Sequence, residues 1–274
     1  FLIVTIATSQ TRDFSWLHRH IPDDAHAILF DVTSAMPMLA LMGPKSRALL
    51  EAVSGEDLGN EVVPFGHSRE IEIGYGRVRI NRLTFVGELG YELYMPTEFA
   101  LHVFDTLVKN GSPFGLKHGG FFAINSMRME KGYRHWGHDI GEEDTPIQAG
   151  LGFAVAYDKP IDFIGRDAVL RAKEKGVPNR RLVQVRLAGG GNAPLLYHEE
   201  PILRNGQIVG SITSGGYGHR IEASLGMGYV SSADGVTLDF LNSGDFEVEV
   251  ACERFRAEVQ FKPFYDPKND RIRL

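Results

Sequence analysis

Cysteine is almost absent from this 274-residue chain, in which Cys252 is the only one. One cysteine cannot form an internal disulfide, so the composition fits a reducing compartment. Cys252 falls in an alternating segment typical of a β-strand, where a buried thiol behaves as a small, inert hydrophobe. Nucleophilic thiol chemistry is therefore not predicted for it.

An excess of basic residues is also missing, as is any long hydrophobic run. Lys and Arg number 29 against 35 Asp and Glu, which gives a formal net charge of −6. Without a basic stripe, nucleic acid and anionic membrane surfaces are not expected partners. No apolar run approaches the roughly 18 residues that a membrane helix requires. The predicted partners are therefore neither nucleic acid nor membrane.

Motifs of several common active sites are absent too. No GxSxG, HExxH or CxxC pattern occurs, which removes the usual signs of an α/β-hydrolase, a zinc protease or a zinc ribbon. His135 and His138 lack a third nearby ligand of the usual kind, so no metal site is predicted. The glycines of GGYGH at 215–219 have no helix after them, which favours turns over a phosphate loop.

The first half of the chain mixes helical and strand patterns in an ordinary globular composition, 43% hydrophobic and 23% charged. Alternating apolar residues predict strands, and apolar residues at helical spacing predict helices. The predicted strands are 1–6, 27–31, 37–42, 69–79, 81–85 and 91–95. The predicted helices are 12–20, 45–53, 98–111, 121–131 and 166–175.

After residue 181 the chain consists of short alternating segments separated by turns. The predicted strands are 182–187, 201–204, 207–213, 225–230, 237–240, 246–252 and 254–261. Asn205-Gly206 is the strongest hairpin signal, because this pair suits a two-residue turn with positive φ. Such closely spaced strands indicate a small closed barrel or a sandwich. The predicted class is α+β, with an α+β domain at 1–157, a helical linker at 158–180 and a β domain at 181–274.

The stretch 85–96, reading FVGELGYELYMP, is the candidate binding site. It places Glu88, Tyr91 and Glu92 among small residues where a loop becomes a strand, and glycines there let backbone approach a ligand closely. A carboxylate can accept two parallel hydrogen bonds from a donor–donor edge such as that of an amino-pyrimidine. The alternative is a turn whose acids only face water.

Five segments together carry a resemblance to a known family. They are FVGELGYELYMP, MRMEKGYRHWGHDI, DTPIQAGLGF, DFIGRDAVL and TSGGYG, which follow one another along nearly the whole chain. In this order they resemble the aminomethyltransferase family typified by the glycine-cleavage T-protein. Within it, the chain looks most similar to the folate-binding C-terminal part of sarcosine and dimethylglycine dehydrogenases.

The resemblance implies a T-protein-like folate-binding fold that ends in a distorted β-barrel. Family members bind tetrahydrofolate in a central cavity between three domains. In the dehydrogenases, an FAD-containing N-terminal region oxidises a methylated amine, and the folate region forms 5,10-methylene-tetrahydrofolate. The chain begins within a β-type run, so we expect a partial fold, with FAD only in a missing N-terminal region of the same chain or in a partner subunit. The expected small-molecule partners are a folate and a methylated amine. The expected location is the bacterial cytoplasm or the mitochondrial matrix.

The resemblance also assigns cofactor-binding roles. Glu92 corresponds to the acid that holds the amino-pyrimidine edge of the pterin, and Phe85 stands where a tyrosine is common. Val4 and Thr5 correspond to a strand that offers backbone contacts. Arg128 matches an arginine that either contacts the folate tail or pairs with a neighbour such as Glu130.

Two departures from the family pattern limit what the resemblance implies. Ile124 replaces a T-protein arginine, which puts tail recognition of the T-protein kind in doubt. The family's catalytic aspartate lies in a segment upstream of Phe1, so no residue here is predicted to be catalytic and the chain alone is expected to be nearly inactive. Two other functions stay open: a stand-alone aminomethyltransferase or folate-dependent demethylase, and a non-catalytic folate-binding scaffold.

Overall fold

The computed structural model describes residues 1–274. Its backbone contacts divide the chain into two compact units. The first comprises Phe1–Thr84, Glu88–Lys117 and Ile272–Leu274, and the second comprises Phe85–Gly87 and His118–Arg271. No helix of the chain combines the length and the apolarity needed to cross a membrane.

The first unit is a four-stranded antiparallel sheet with helices. Its strands are β1 (Met38–Met42), β2 (Ser68–Ile73), β3 (Gly76–Asn81) and β4 (Gly90–Tyr94), in the order β1-β4-β3-β2. Its helices are α1 (Gln10–Arg19), α2 (Ser46–Ser54) and α3 (Ala100–Gly111). Alternate residues of each strand point to one face, and on that face Ile80, Tyr91 and Leu93 join a core to which α2 and α3 contribute leucines and a valine. Glu92 and Tyr94 therefore lie on the opposite face.

The second unit contains a closed six-stranded barrel with the strand order β10-β5-β8-β7-β6-β9. Its strands are β5 (Arg180–Leu187), β6 (Pro201–Arg204), β7 (Gln207–Gly218), β8 (Ala223–Ser231), β9 (Phe246–Val250) and β10 (Glu253–Gln260). Its helices are α4 (Phe121–Glu130), α5 (Arg166–Glu174) and α6 (Leu238–Asn242). β6 and β7 form a hairpin at Asn205-Gly206, whose φ angles are +51° and +78°. The α+β class, the barrel and this hairpin confirm the sequence prediction.

Two predicted strands, 1–6 and 27–31, are wrong because neither segment has a sheet partner. Both are extended and irregular, with Phe1, Ile3, Ile28 and Phe30 exposed. Apolar alternation predicts a strand only where a neighbouring strand takes up the backbone hydrogen bonds. The predicted strand 69–79 is instead the β2–β3 hairpin, which turns at Gly74 with φ of +61°. The predicted strand 81–85 is also wrong, because β3 ends at Asn81 and the residues after it form a loop that leads to β4.

Three further predictions fail in the second unit. The segment 237–240 belongs to α6, because Thr237 Oγ1 accepts a hydrogen bond from the Phe240 N–H at 3.0 Å and so caps a helix. Cys252 is not a buried strand residue but lies exposed in the β9–β10 turn, with φ of +67°. Residues 215–218 are not a turn but the end of β7, where a Cβ on Gly215 would lie 2.1 Å from the Leu196 backbone.

Candidate functional site

Glu92 lies in β4, on the face of the sheet opposite the core. Its cross-strand neighbours are Ala40 on β1 and Asn81 on β3. The half-buried side chain accepts a hydrogen bond from the Tyr94 hydroxyl to Oε2 at 2.8 Å. Burial first, and then the Glu92 carboxylate, raises the pKa of Tyr94, so the hydroxyl stays protonated and orients the carboxylate. Oε1 of Glu92 remains available as an acceptor.

Tyr91, in the same stretch, belongs to the core instead. It is fully buried, and its hydroxyl accepts a hydrogen bond from Arg47 Nε at 3.3 Å. Because successive strand residues point to opposite faces, Tyr91 and Glu92 cannot face the same ligand. Glu92 is therefore the better candidate for binding.

The segment 85–87 rests on residues that follow α4. The Phe85 ring stacks on Tyr133, with ring centroids 6.0 Å apart and an interplanar angle of 14°. Gly87 has φ of +73°, and a Cβ built there would lie 3.0 Å from the Lys131 side chain. Lys131 Nζ in turn donates to Asp266 Oδ2 at 2.7 Å, and both side chains are buried. Sequence reasoning assigned no role to Lys131, Tyr133 or Asp266, because Lys131 and Asp266 are 135 residues apart.

Arg128 on α4 is buried within a network of hydrogen bonds. Nη1 donates to Asp139 Oδ2 at 2.5 Å and to the Tyr133 carbonyl at 3.1 Å. Nη2 donates to Ser214 Oγ at 2.9 Å, and Nε donates to Asn125 Oδ1 at 2.9 Å. Burial lowers the pKa of Arg128, and the nearby Asp139 carboxylate opposes this shift.

The neighbour that pairs with Arg128 is therefore Asp139 and not Glu130. Glu130 Oε1 accepts the backbone N–H of Arg220 and that of Ile221, the latter at 3.1 Å. Residues two apart on an α-helix do not face each other, which is the physical reason that the 128–130 pair does not form.

A cavity of about 460 Å³ lies beside Arg128 in the second unit. Three imidazoles line it, those of His135, His138 and His198, together with Tyr197 and Ser214. The His135 and His138 ring centroids are 4.8 Å apart, and those of His138 and His198 are 6.2 Å apart. His135 Nδ1 is buried without a hydrogen-bond partner.

The electrostatic setting of this cavity favours the neutral form of His135. Burial is the largest cause of its lowered pKa, followed by the neighbouring His138 and Arg128. No group of three or more His, Cys, Asp or Glu side chains has an arrangement that could hold a metal ion. Sequence reasoning noticed His135 and His138 but missed His198, which comes from a loop 60 residues further along the chain.

Val4 and Thr5 lie in the exposed segment before α1, with Val4 58% exposed. The Thr5 hydroxyl donates to the Asp13 carboxylate. In the contact units, Val4, Thr5 and Glu92 belong to the first and Phe85 and Arg128 to the second. The proposed cofactor roles of these five residues remain predictions.

Comparison with known proteins assigns the family. The GCVT N-terminal domain matches residues 1–159, and the glycine cleavage T-protein C-terminal barrel domain matches residues 180–266. The chain therefore belongs to the glycine cleavage T-protein family of aminomethyltransferases, which confirms the resemblance inferred from its motifs. The glycine cleavage system aminomethyltransferase T of Bartonella henselae has the same fold, with a TM-score of 0.76 and 26% identity, covering 95% of this chain and 67% of that one.

Curated relatives extend the similarity to larger proteins. The 4-methylaminobutanoate oxidase (formaldehyde-forming) of Paenarthrobacter nicotinovorans is 41% identical over 273 residues, covering 100% of this chain and 32% of the oxidase. The mouse mitochondrial pyruvate dehydrogenase phosphatase regulatory subunit is 34% identical over 96% of this chain and 31% of that protein. Human mitochondrial sarcosine dehydrogenase is 36% identical over 89% of this chain and 26% of the enzyme. The chain thus spans about a third or less of each of these relatives, and it is an aminomethyltransferase-type region of the kind found in sarcosine dehydrogenase-like proteins.

Proposed function

We propose that this chain binds tetrahydrofolate and, as part of a longer flavoprotein, delivers the one-carbon unit of an oxidised N-methyl amine to it, giving 5,10-methylene-tetrahydrofolate. Membership of the aminomethyltransferase family and the names of the larger relatives support this proposal. When bound, the folate would supply the nucleophilic nitrogens that accept the one-carbon unit. A flavin region would lie outside these residues, and a bacterial cytoplasm or a mitochondrial matrix would suit such a protein.

The observation that carries the folate proposal is the geometry of Glu92. An ionised carboxylate has about four lone-pair sites on two oxygens, and Tyr94 uses only one of them. The remaining capacity suits the two parallel N–H donors of an amino-pyrimidine edge. Partial burial strengthens such charged hydrogen bonds, because the local dielectric is lower than that of water. The Tyr94 hydroxyl would hold the carboxylate in place before the ligand arrives.

Replacement of Glu92 tests this role. Glu92→Gln exchanges one acceptor oxygen for an amide donor, and we expect reduced-folate binding to weaken by about 1–3 kcal/mol. Isothermal titration with a reduced folate would measure the change. Glu72→Gln, an exposed acid on strand β2 of the same sheet, is the matched control and should bind as the parent chain does. Equal affinity in parent and Glu92→Gln would contradict the assignment.

The remaining sequence-derived assignments are part of the same proposal. Phe85, already stacked on Tyr133, would offer an aromatic face without the hydroxyl of a tyrosine. Val4 and Thr5 would offer backbone groups. Arg128 donates to four protein acceptors, so we propose that it shapes the cavity wall and leaves at most one N–H for a ligand. The division into 1–157, 158–180 and 181–274 is supported by the two matched domain ranges.

A second candidate, a non-catalytic folate-binding or regulatory role, is favoured by the similarity to a regulatory subunit. A stand-alone aminomethyltransferase and a folate-dependent demethylase are further alternatives within the family. The full-length protein should be assayed with an N-methylated amine in the presence and absence of tetrahydrofolate. Formation of 5,10-methylene-tetrahydrofolate supports the main proposal, release of free formaldehyde in the presence of folate points to an oxidase without transfer, and folate binding without turnover favours the regulatory role.

A further inference from the structure

The cavity beside α4 contains polar groups whose hydrogen-bonding capacity the protein itself does not use up. His135 Nδ1 is buried and has no partner. Ser214 Oγ accepts a hydrogen bond from Arg128 Nη2 at 2.9 Å, so the Ser214 proton is free to point elsewhere. Ser214 is only 6% exposed, and it lines the cavity together with His135, His138 and His198. Unused buried hydrogen-bonding capacity of this kind favours a ligand as the missing partner.

The acids around the cavity are engaged by protein groups, so they offer little to a cation. Arg128 is already neutralised by Asp139, which also accepts the His135 backbone N–H at 2.9 Å. Of the two acids next to His198, Glu199 approaches the His198 ring at 3.3 Å, and Glu200 accepts the Tyr197 backbone N–H at 2.7 Å.

Most of these acids are therefore engaged by protein groups. Asp139 is bonded on both oxygens, since Thr213 Oγ1 donates to its Oδ1 at 2.8 Å. Glu199 is exposed, and of the three histidines it lies near His198. No carboxylate hydrogen-bonds the ring of His135 or of His138. Asp139 favours the protonated form of His135, but burial, His138 and Arg128 outweigh it and lower the pKa of His135.

We propose that this pocket, defined by His135, His138, His198 and Ser214, binds the carboxylate group of a small ligand. The Ser214 hydroxyl and the imidazoles donate to the carboxylate oxygens, and the exposed aromatic rings of Tyr197 and Phe121 at the cavity contact the body of the ligand. This inference rests on the proposed function, because it names the ligand group that a folate-dependent N-methyl amine enzyme would place there.

Carboxylate binding at this pocket couples to proton uptake. A carboxylate stays ionised above a pH of about 4, whereas an imidazole titrates near pH 6.5. The bound anion stabilises the imidazolium form, so affinity increases as the pH falls. Above the bound-state pKa of the coupled histidine, the affinity falls by about tenfold per pH unit if one proton is taken up.

Two sources share this carboxylate chemistry, and separate probes distinguish them. One is the glutamate tail of a folate, for which p-aminobenzoylglutamate is the probe because it lacks the pterin. The other is an N-methylated amino acid, such as the 4-methylaminobutanoate or the sarcosine in the relatives' names. Each probe would be titrated into the chain between pH 5.5 and 8.5 by calorimetry.

His198→Gln and His135→Gln are the test variants, since glutamine keeps a polar side chain but does not titrate. His198 is half-exposed, so its replacement leaves the fold intact even if His135→Gln lowers the melting temperature. His219→Gln, at an exposed histidine whose ring lies against Tyr217, is the matched control. We expect one probe to bind more tightly at low pH, with both pocket variants flattening that pH dependence and the control leaving it unchanged.

The outcomes separate this inference from the folate proposal. Binding of p-aminobenzoylglutamate supports the folate tail as occupant, and binding of an N-methylated amino acid supports the amine substrate. If neither probe binds, or if both pocket variants keep the parent's pH dependence, the pocket inference is overturned. Neither probe contains a pterin, so this test does not depend on whether Glu92→Gln weakens reduced-folate binding. If a reduced folate binds but neither probe does, only the pocket inference is overturned and the folate proposal stands.

Discussion

Asp139 holds one end of a buried ion pair, and its replacement by asparagine is the sharpest stability test that the structure offers. The Arg128 and Asp139 side chains are 3% and 0% exposed. Asp139 accepts from Arg128, from the His135 backbone and from Thr213. Asparagine keeps the size and one acceptor oxygen but removes the charge. Arg128 is then a buried cation without a counter-ion, and we expect a loss of about 3–5 kcal/mol.

Tryptophan fluorescence can follow this loss in the relevant unit. Trp16 and Trp136 are the only two tryptophans, and Trp136 follows His135 directly. In a Trp16→Phe background, thermal unfolding monitored by fluorescence therefore reports the second unit. A loss of 3–5 kcal/mol should lower the melting temperature by roughly 6–20 °C for a unit of this size. Asp234→Asn, at an exposed turn, is the control and should remain within about 0.5 kcal/mol of the parent.

A double variant isolates the ion pair from the other contacts of Asp139. Arg128→Met removes the cation that Asp139→Asn leaves unpaired. The two changes together should therefore destabilise the chain less than the sum of the single changes, by at least about 1 kcal/mol. Strict additivity, or an Asp139→Asn melting temperature equal to that of Asp234→Asn, would refute the argument that the uncompensated charge dominates.

Three other changes have defined outcomes. Lys131→Met keeps the aliphatic part of the side chain beside Gly87 but leaves the buried Asp266 carboxylate without its cation. It should lower stability and weaken reduced-folate binding. Unchanged folate affinity would mean that binding does not depend on this support of the 85–87 segment. Burial raises the pKa of Asp266, but hydrogen bonds, led by that from Lys131, outweigh it and leave the pKa below its ordinary value. The stability from this pair is thus complete above a pH of about 4 and is lost as the pH falls through the folded-state pKa of Asp266. In Asp266→Asn, the melting temperature should therefore fall less steeply at acidic pH than it does in the parent. Gly210→Ala places a Cβ 1.8 Å from the Tyr229 carbonyl and should cost about 1–3 kcal/mol or more, whereas Gly119→Ala meets nothing within 4 Å; equal melting temperatures would show that β7 shifts freely.

Local patterns explain what could be predicted from the sequence. The Asn205-Gly206 turn, the alternation of β5 and the helical spacing of α3 depend on neighbouring residues alone, and each forms where expected. The same local logic fails at 27–31, where an apolar alternating segment has no strand beside it. A strand forms only when two segments pair, and a local sequence pattern describes one of the two segments without showing its partner.

The polar contacts of the candidate site could be predicted only in part. The stretch around Glu92 could be selected as a candidate because it sets carboxylates among glycines at a strand start and matches a family motif. The structure gives Glu92 an orienting hydroxyl from Tyr94, two residues away. The partner of Lys131 is 135 residues distant, and no spacing rule reaches that far. His198 enters the cavity from a separate loop for the same reason.

The MRMEKGY segment, which carried part of the family resemblance, acquires a structural explanation. Arg128, Glu130 and Lys131 are each no more than 3% exposed, at the end of α4. Each charge is satisfied by a different distant part of the second unit: Asp139 and Ser214 for Arg128, the backbone before β8 for Glu130, and Asp266 for Lys131. Buried charges need such partners, because an unpaired one costs several kcal/mol. The segment therefore fixes α4 to the barrel and to the C-terminal residues, and this attachment requires no contact between its charged side chains and a ligand. A motif that identifies a binding family can thus consist of residues that hold the site together, while the ligand contacts that we propose come from Glu92 and from the imidazoles of the cavity.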